Sequence, residues 1–255
     1  MTAPLLLALA FVSMQPRPDS ASERVDPRVA LGVAAAVGVT AVLDERIADW
    51  WRSRGVQGDS GRSDLVHALT VVNEVPLTIA AVAAYGVGRL TGSRVVTDVG
   101  AHVTVSLVVT ELLSEAVRIG MGRTRPRASP DDAFRFEPGR GLTHFEQRSF
   151  PSLHASVAFA TATALIEEMR LRDVPARRYL TPLLLGLATV PGFTRLYLDQ
   201  HWASDVIAGS AVGALVGTQV VRRAHHRRER RERIVVVPIR AGPATALLVG
   251  VTMPY

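Results

Sequence analysis

The stretch RSFPSLHASVAFATATAL, residues 148–165, places a serine and a histidine two positions apart, just before a long run of small apolar residues. Ser152 follows a proline and precedes an alanine-rich run, so it is placed to cap the free N–H groups of a first helical turn. By itself the stretch predicts only that a helix begins near His154. It indicates a functional site only if polar residues elsewhere in the chain complete one.

Apolar runs bounded by Gly, Pro and Ser clusters continue on both sides of this stretch. Because the runs are long and rich in Ala, Leu and Val, they predict an all-α bundle of six helices. These helices are expected at residues 27–50, 64–90, 94–120, 154–172, 177–193 and 202–230. The tail IVVVPIRAGPATALLVGVTMPY, residues 234–255, has two β-prone runs around AGPA and predicts a short hairpin that lies against the bundle.

The 255 residues suffice for one domain with its own core, expected at residues 21–233. An apolar segment followed by a polar, proline-containing one predicts an export signal over residues 1–20, with an anchor helix that is never removed as the alternative. The chain has no cysteine, which excludes disulfides and thiolate metal sites. Seven arginines lie in the run RRAHHRRERRER, residues 222–233, so the basicity is local, and no nucleic-acid partner is expected.

Composition leaves open whether the helices cross a membrane. None has eighteen uncharged residues in a row, and the longest uncharged runs reach about sixteen. Ionisable residues lie within or beside the apolar stretches, among them Glu74, Asp98, His102, Glu111 and Glu115. Such residues mark either a soluble helix that exposes one face or a membrane helix whose polar groups face an interior cavity.

Three groups of polar residues stand at the ends of predicted helices. They are RIGMGRTRPR at residues 118–127, PSLH at residues 151–154 and TRLYLDQHWASD at residues 194–205. Because each group lies at a helix end, the three could meet in space at one end of the bundle.

The residue types in these groups suit phosphate. The guanidinium groups of Arg118, Arg125 and Arg195 keep their charge and offer planar sets of donors to an anion with several oxygens. Ser152 and the first amides of its helix would add donors at a positive helix end.

Two histidines could carry the chemistry. His201 and Asp205 are four residues apart on one helix face, so the carboxylate can hold one ring nitrogen and leave the other as a nucleophile. His154 is a separate imidazole that could donate a proton to a leaving oxygen. Taken singly, flanking arginines are usually interfacial anchors and such a His–Asp pair is usually a surface pair. The order and spacing of the three groups together favour the phosphate site.

This ordered set resembles the signature of the type 2 phosphatidic acid phosphatase family, which shares its fold with bacterial class A acid phosphatases and vanadium haloperoxidases. The family pattern is Lys, six residues, Arg-Pro; then Pro-Ser-Gly-His; then Ser-Arg, five residues, His, three residues, Asp. The resemblance covers residues 60–222. It implies that His201 attacks phosphorus, oriented by Asp205, that His154 protonates the leaving group, and that no metal or other cofactor is needed. It also implies a phosphate-binding set of Arg118, Arg125, Ser152, the amide of Leu153, and Arg195.

Three positions depart from the family pattern: Arg118 replaces Lys, Leu153 replaces Gly and Thr194 replaces Ser. Leu153 is the largest change, because leucine cannot adopt the backbone conformations reserved for glycine. Its amide survives, so we expect an altered site and not an inactive one.

The resemblance implies a metal-independent hydrolase of phosphomonoesters or of lipid phosphates and diphosphates, acting through a phosphohistidine. A vanadate-dependent haloperoxidase and a non-catalytic membrane protein with a decayed site are the alternatives. Phosphatidate, undecaprenyl diphosphate, a lipid A phosphate and a soluble monoester all fit as substrates. We expect a membrane-embedded protein of the cell envelope whose site lies outside the cytoplasm, with a soluble periplasmic or secreted phosphatase as the alternative.

Overall fold

The computed structural model describes residues 26–71, 73–241 and 244–251, with side chains up to residue 228. Within this part, seven α-helices of ten residues or more build the molecule. They are α1 (Pro27–Arg52), α2 (Ser60–Leu69), α3 (Glu74–Thr91), α4 (Arg94–Met121), α5 (Leu153–Leu171), α6 (Arg177–Tyr197) and α7 (Ala203–Arg233). The all-α prediction is confirmed. The signal or anchor predicted over residues 1–20 lies outside the described residues.

The predicted count of six helices is wrong, because the segment expected as one helix over residues 64–90 forms both α2 and α3. The side chain of Asn73 accepts a hydrogen bond of 3.0 Å from the amide of Val75 and so caps α3. Pro76 then falls in the first turn of α3, where a helix needs no N–H donor. In one continuous helix the same proline would remove a hydrogen bond and crowd the preceding turn.

α5 and α7 run parallel in direct backbone contact. Cβ atoms added at Gly209, Gly213 and Gly217 of α7 would lie 2.0–2.4 Å from the carbonyl oxygens of Ser152, which precedes α5, and of Ser156 and Ala160 within α5. Only glycine permits this approach at the three positions. The contact holds the first residues of the two helices side by side, and these residues belong to the second and third polar groups of the sequence.

The three polar groups lie at one end of the bundle, which we call the motif end. α1 also reaches it, since the amide of Ser204 donates a 2.9 Å hydrogen bond to Asp44. α3 begins there, because Glu74 lies 3.5 Å from His154. The helices α1, α4 and α6 therefore end at the motif end, and α3, α5 and α7 begin there.

Four segments of the described chain are long and apolar enough to cross a membrane. They are Pro27–Arg52, Ser60–Thr91, Arg94–Met121 and Ala203–Arg228. Large apolar side chains on their surfaces are exposed, including Val42 at 76%, Leu90 at 89% and Leu112 at 69%. Soluble monomers rarely expose extended apolar surface, so this pattern indicates a lipid setting.

Two paired strands follow α7 in the described backbone, β1 (Ile234–Ala241) and β2 (Ala244–Val251), in antiparallel register. The turn that would join them, residues 242–243, lies outside the described residues. The C-terminal hairpin therefore stays a prediction.

Candidate active site

Three buried arginines lie at the motif end. Arg118, Arg125 and Arg195 are only 4%, 3% and 7% exposed. Arg125 donates to the backbone carbonyl of Gln200 at 3.4 Å, and Arg195 donates to the side-chain oxygen of the same residue at 3.2 Å. Gln200 thus joins the first polar group of the sequence to the third.

The arginine set retains unused donors. The Nε atoms of Arg125 and Arg195 are buried and have no hydrogen-bond partner among the described residues. Arg118 is more fully engaged, because its Nε donates to the carbonyl of Arg148 at 2.9 Å and its guanidinium pairs with Glu115. Burial, and then the neighbouring charge of Arg118, lower the pKa of Arg125 to about 10. An anion would relieve this crowding of positive charge.

Ser152 occupies the N-cap position of α5 but does not cap it. Its backbone N–H donates to the carbonyl of Asp205 at 3.0 Å, and its side chain makes no capping bond. The hydroxyl is buried and has no hydrogen-bond partner within the described part of the chain. The capping role expected from the sequence is therefore wrong, and the hydroxyl is free to contact a ligand.

Leu153 is the first residue of α5 and has ordinary helical backbone geometry. Among the described non-glycine residues, positive φ angles occur only at Asp173 and Asp199. The position therefore does not require a glycine. The leucine side chain packs against the apolar core that contains Leu107 and Val157.

His201 is oriented by a backbone carbonyl. Its Nδ1 lies 2.8 Å from the carbonyl oxygen of Ser149 and 3.6 Å from Oδ2 of Asp205. A carbonyl can only accept, so Nδ1 carries the proton and the neutral ring has its lone pair on Nε2. This nitrogen is buried without a partner among the described residues. Burial lowers the pKa of His201 to about 4, against the opposing effect of Asp205, so the ring is neutral at physiological pH.

Asp205 therefore acts differently from the sequence hypothesis, in which its carboxylate holds the ring nitrogen directly. It accepts hydrogen bonds of 2.6 Å from the Ser149 hydroxyl and 2.9 Å from the amide of Trp202. Because the Ser149 carbonyl is the group that His201 contacts, Asp205 fixes the segment that orients the histidine.

Arg123 is a site residue that the sequence reasoning missed, although it lies within the first polar group. It is 2% exposed and its Nη1 lies 2.6 Å from Asp205. Its Nη2 lies 2.8 Å from Asp44 on α1, a carboxylate that is fully buried. No local sequence pattern connects Arg123 with Asp44, which is 79 positions away. The only available signal was an additional arginine between Arg118 and Arg125.

Glu74 was also missed as a site residue. Glu74 is the first residue of α3, and its Oε2 lies 3.5 Å from Nε2 of His154. Both Oε2 of Glu74 and Nδ1 of His154 are buried without hydrogen-bond partners among the described residues. Burial, and then the positive charge of Arg195, lower the pKa of His154 to about 2. A carboxylate at 3.5 Å acts against this shift, because it favours the protonated form of an imidazole.

Comparison with known proteins adds a family and a fold. The family model described as PAP2 superfamily matches residues 100–229. A lipid A 1-phosphatase of Rhizobium johnstonii is 35% identical over 119 residues, covering 46% of this chain and 44% of that protein. A lipid A 4'-phosphatase of Bacteroides thetaiotaomicron is 30% identical over 122 residues, covering 45% of this chain and 50% of that protein. The chain thus matches about half the length of these curated relatives or less.

A solved structure shares the fold. It is described as the first transmembrane PAP2 type phosphatidylglycerolphosphate phosphatase from Bacillus subtilis. The match has a TM-score of 0.56 and 17% sequence identity, and it covers 77% of this chain and 96% of the other.

Proposed function

Because this chain belongs to the PAP2 superfamily, we propose that it is a phosphatase that removes phosphate from a membrane lipid at the motif end. The observation that carries the proposal is the hydrogen bonding of the two ring nitrogens of His201. Its Nδ1 contacts the Ser149 carbonyl, and its unpartnered Nε2 is buried where the positive charges of Arg125 and Arg118 act on the ring. A neutral imidazole with an available lone pair beside anion-binding groups is suited to attack phosphorus.

The reaction would proceed in two steps. Arg118, Arg125 and Arg195 hold the phosphoryl oxygens and stabilise the charge that develops on them. Nε2 of His201 attacks phosphorus while the bond to the lipid oxygen breaks, and His154 gives that oxygen its proton. Water then attacks the phosphohistidine, gives its proton to His154 and releases inorganic phosphate.

Ser152 and Leu153 would add donors at the start of α5. The hydroxyl of Ser152 and the amide of Leu153 lie where the positive end of the helix dipole favours an anion. Glu74 would stabilise the protonated form of His154 before the first step and after the second, when the imidazole carries its proton. In this scheme the arginines neutralise the phosphate, and the chemistry needs no metal.

An apolar cavity lined by sequence neighbours of two site residues favours a lipid substrate over a soluble ester. The cavity, of about 450 Å³, lies between α1, α5, α6 and α7. Leu196 and Ala203 in its lining are close neighbours in sequence of Arg195 and His201. An acyl chain could bind there while its phosphate lies among the arginines. The lipid A phosphatases among the relatives make a lipid A phosphate the first substrate to test.

The arrangement of the helices favours a site outside the cytoplasm. α7 begins at the motif end and carries the basic run of residues 222–233 toward the other end of the bundle. Positive residues near membrane spans favour the cytoplasmic side. The motif end would then face outward, and α1 would begin in the cytoplasm. A cleaved export signal over residues 1–20 does not fit this orientation, so we favour an uncleaved segment.

The substrate test measures phosphate release by the detergent-solubilised protein. Lipid A phosphorylated at the 1 or the 4' position, phosphatidate and undecaprenyl diphosphate are compared with a soluble aryl phosphate, and the His201→Ala protein serves as the blank. We expect lipid substrates to have the higher kcat/KM. Equal or better turnover of the soluble ester would refute the lipid assignment. No release from any substrate would refute the phosphatase proposal, and bromide oxidation dependent on added vanadate would identify a haloperoxidase instead.

Because the chain has no native cysteine, single introduced cysteines can report which side of the membrane each end of the bundle faces. A single cysteine at Leu142, which is 67% exposed at the motif end, is compared with one at Arg94, an exposed residue at the opposite end. A membrane-impermeant maleimide added to intact spheroplasts should label the Leu142→Cys protein and not the Arg94→Cys protein. The reverse pattern would place the site in the cytoplasm. Release of the protein without detergent after osmotic shock would refute the membrane proposal.

A further inference from the structure

Three side chains of residue types that can bind metal ions converge far from the motif end. They are His102 of α4, Glu168 of α5 and His225 of α7, and one ligand atom of each lies within 4.8 Å of the others. His102 precedes Arg118 on α4 by more than four helical turns, which is about 24 Å along the helix axis. Glu168 follows Ser152 along α5 by about the same distance. The cluster is therefore separate from the phosphate site.

The ligand atoms of His225 and Glu168 already have the spacing found around a tetrahedral metal ion. Nε2 of His225 lies 3.2 Å from Oε1 and 3.3 Å from Oε2 of Glu168. Nδ1 of His102 contacts Oε1 of the same carboxylate, and the two imidazole rings have centroids 5.7 Å apart. Metal–ligand bonds of 2.0–2.2 Å place neighbouring ligand atoms about 3.3 Å apart around zinc. Small side-chain shifts would therefore suffice to admit an ion.

The surroundings of Glu168 orient its carboxylate. The side chain is 2% exposed, and its Oε2 accepts a 2.7 Å hydrogen bond from Arg172, which leaves Oε1 for a metal. Arg172 also lies 3.2 Å from Asp98, so it is itself held in place. Outer partners of this kind fix the ligand groups of natural metal sites. His102 and His225 are 18% and 21% exposed, which leaves a route for an ion and a water molecule.

We propose that His102, Glu168 and His225 form a binding site for Zn²⁺ that links α4, α5 and α7 at the end of the bundle opposite the phosphate site. Two imidazoles and one carboxylate are a ligand set that zinc accepts, with water in the fourth position. Mg²⁺ and Ca²⁺ prefer oxygen ligands and are disfavoured by two imidazoles. The ion would cross-link three helices whose positions also determine the geometry of the motif end.

The test measures Zn²⁺ binding by the full-length protein in detergent after chelation and removal of the chelator. Calorimetry should give one Zn²⁺ per chain, and excess Zn²⁺ should raise the melting temperature. His102→Ala, His225→Ala and Glu168→Gln should each weaken binding at least tenfold. Two controls should bind as the unchanged protein does: His67→Ala, which removes an exposed histidine of α2, and His201→Ala, which removes a histidine of the phosphate site.

Co²⁺ substitution keeps the test decisive if a variant does not fold. The unchanged protein loaded with Co²⁺ should show the intense visible bands of four-coordinate cobalt, and X-ray absorption of the Zn²⁺ form should detect two imidazoles. Absence of Zn²⁺ binding by the unchanged protein would overturn the proposal and leave a network of ion pairs at this end. Binding that His201→Ala abolishes and His102→Ala preserves would overturn it too. Neither result depends on phosphatase activity.

Discussion

Arg123 and Asp44 form an ion pair of 2.8 Å in which the two side chains are 2% and 0% exposed. Asp44 belongs to α1 and lies outside the residues that match the family model. Through Arg123 it is connected to Asp205, and through Asp205 to the Ser149 segment that orients His201. The first helix is therefore part of the support of the site.

Asp44→Asn should reduce both stability and activity. Breaking a buried ion pair costs about 3–5 kcal/mol when it leaves a charge uncompensated. Arg123 keeps Asp205 as a partner, so we expect a cost at the lower end of this range. We expect the melting temperature to fall by several degrees and kcat/KM to fall at least tenfold. Asp49→Asn is the matched control, since Asp49 lies on the same helix with its side chain 70% exposed. Equal effects of the two substitutions would contradict a specific role for Asp44.

His201→Ala should abolish turnover together with any covalent phosphate label. Without Nε2 the proposed nucleophile is missing and no phosphohistidine can form. The measurement is rapid quenching with radiolabelled substrate, followed by denaturing electrophoresis. His144→Ala, at an exposed position of the motif end, should keep full labelling. Retention of more than a few per cent of activity by the His201 variant would exclude the assigned nucleophile.

The loss of turnover caused by His154→Ala should depend strongly on the leaving group of the substrate. A lipid alkoxide needs a proton as it departs, whereas an aryl oxide needs little help. We expect a loss of at least a hundredfold with lipid phosphates and a much smaller loss with aryl phosphates. Glu74→Gln should show the same trend more weakly, because Glu74 lies 3.5 Å from His154 and acts only through it. Equal losses on both substrate classes would count against an acid role for His154.

Leu153→Gly should not raise kcat/KM. The leucine has helical backbone angles, so there is no strained conformation for glycine to relieve. Loss of its packing against the core should lower stability by about 1–2 kcal/mol. Leu153→Ala is the control, because it removes the same contacts and keeps the backbone restricted. A higher kcat/KM for the glycine variant than for the alanine variant would show that the phosphate-binding backbone does need glycine.

The pH dependence should reflect the low pKa of His201, which burial brings to about 4. The neutral ring is the nucleophile, so activity is present above this pKa and is lost as the pH falls through it. A histidine with the ordinary pKa of about 6.5 would be only about 3% neutral at pH 5. We expect most of kcat/KM to remain at pH 5, measured with two substrates whose phosphate pKa values differ. An acidic limb near pH 6.5 with both substrates would contradict the burial argument.

The sequence alone was sufficient to predict the family and the all-α fold class. The PAP2 assignment predicted from three ordered polar groups is confirmed by the family match over residues 100–229. It succeeded because the residues of each group are close in sequence, so their order and spacing are visible without the fold, although His201 lies before α7 begins at Ala203. The boundary within residues 64–90 was missed, because the apolar pattern continues across Asn73 and Pro76, whose capping and first-turn roles depend on where the helix begins.

The sequence did not decide whether the ionisable residues within apolar stretches face solvent or other helices. From composition, Glu74 and His102 marked either an exposed face or an interior one. In the structure Glu74 faces His154 of α5, and His102 faces Glu168, which is 66 positions away. Both residues contact side chains of other helices. Periodicity within one helix cannot reveal such partners, because it does not specify which helix packs against which.

The sequence by itself determined the residue types of the proposed phosphate site and the helical class of the fold, because both depend on patterns within short segments. The tertiary structure alone decided which atom of His201 carries the proton, that Ser152 leaves its hydroxyl free, and that Asp44 supports Asp205 through Arg123. The physical reason is that a buried polar group must find its partners wherever the folded chain brings them. These contacts join positions up to 160 residues apart, as between Asp44 and Ser204.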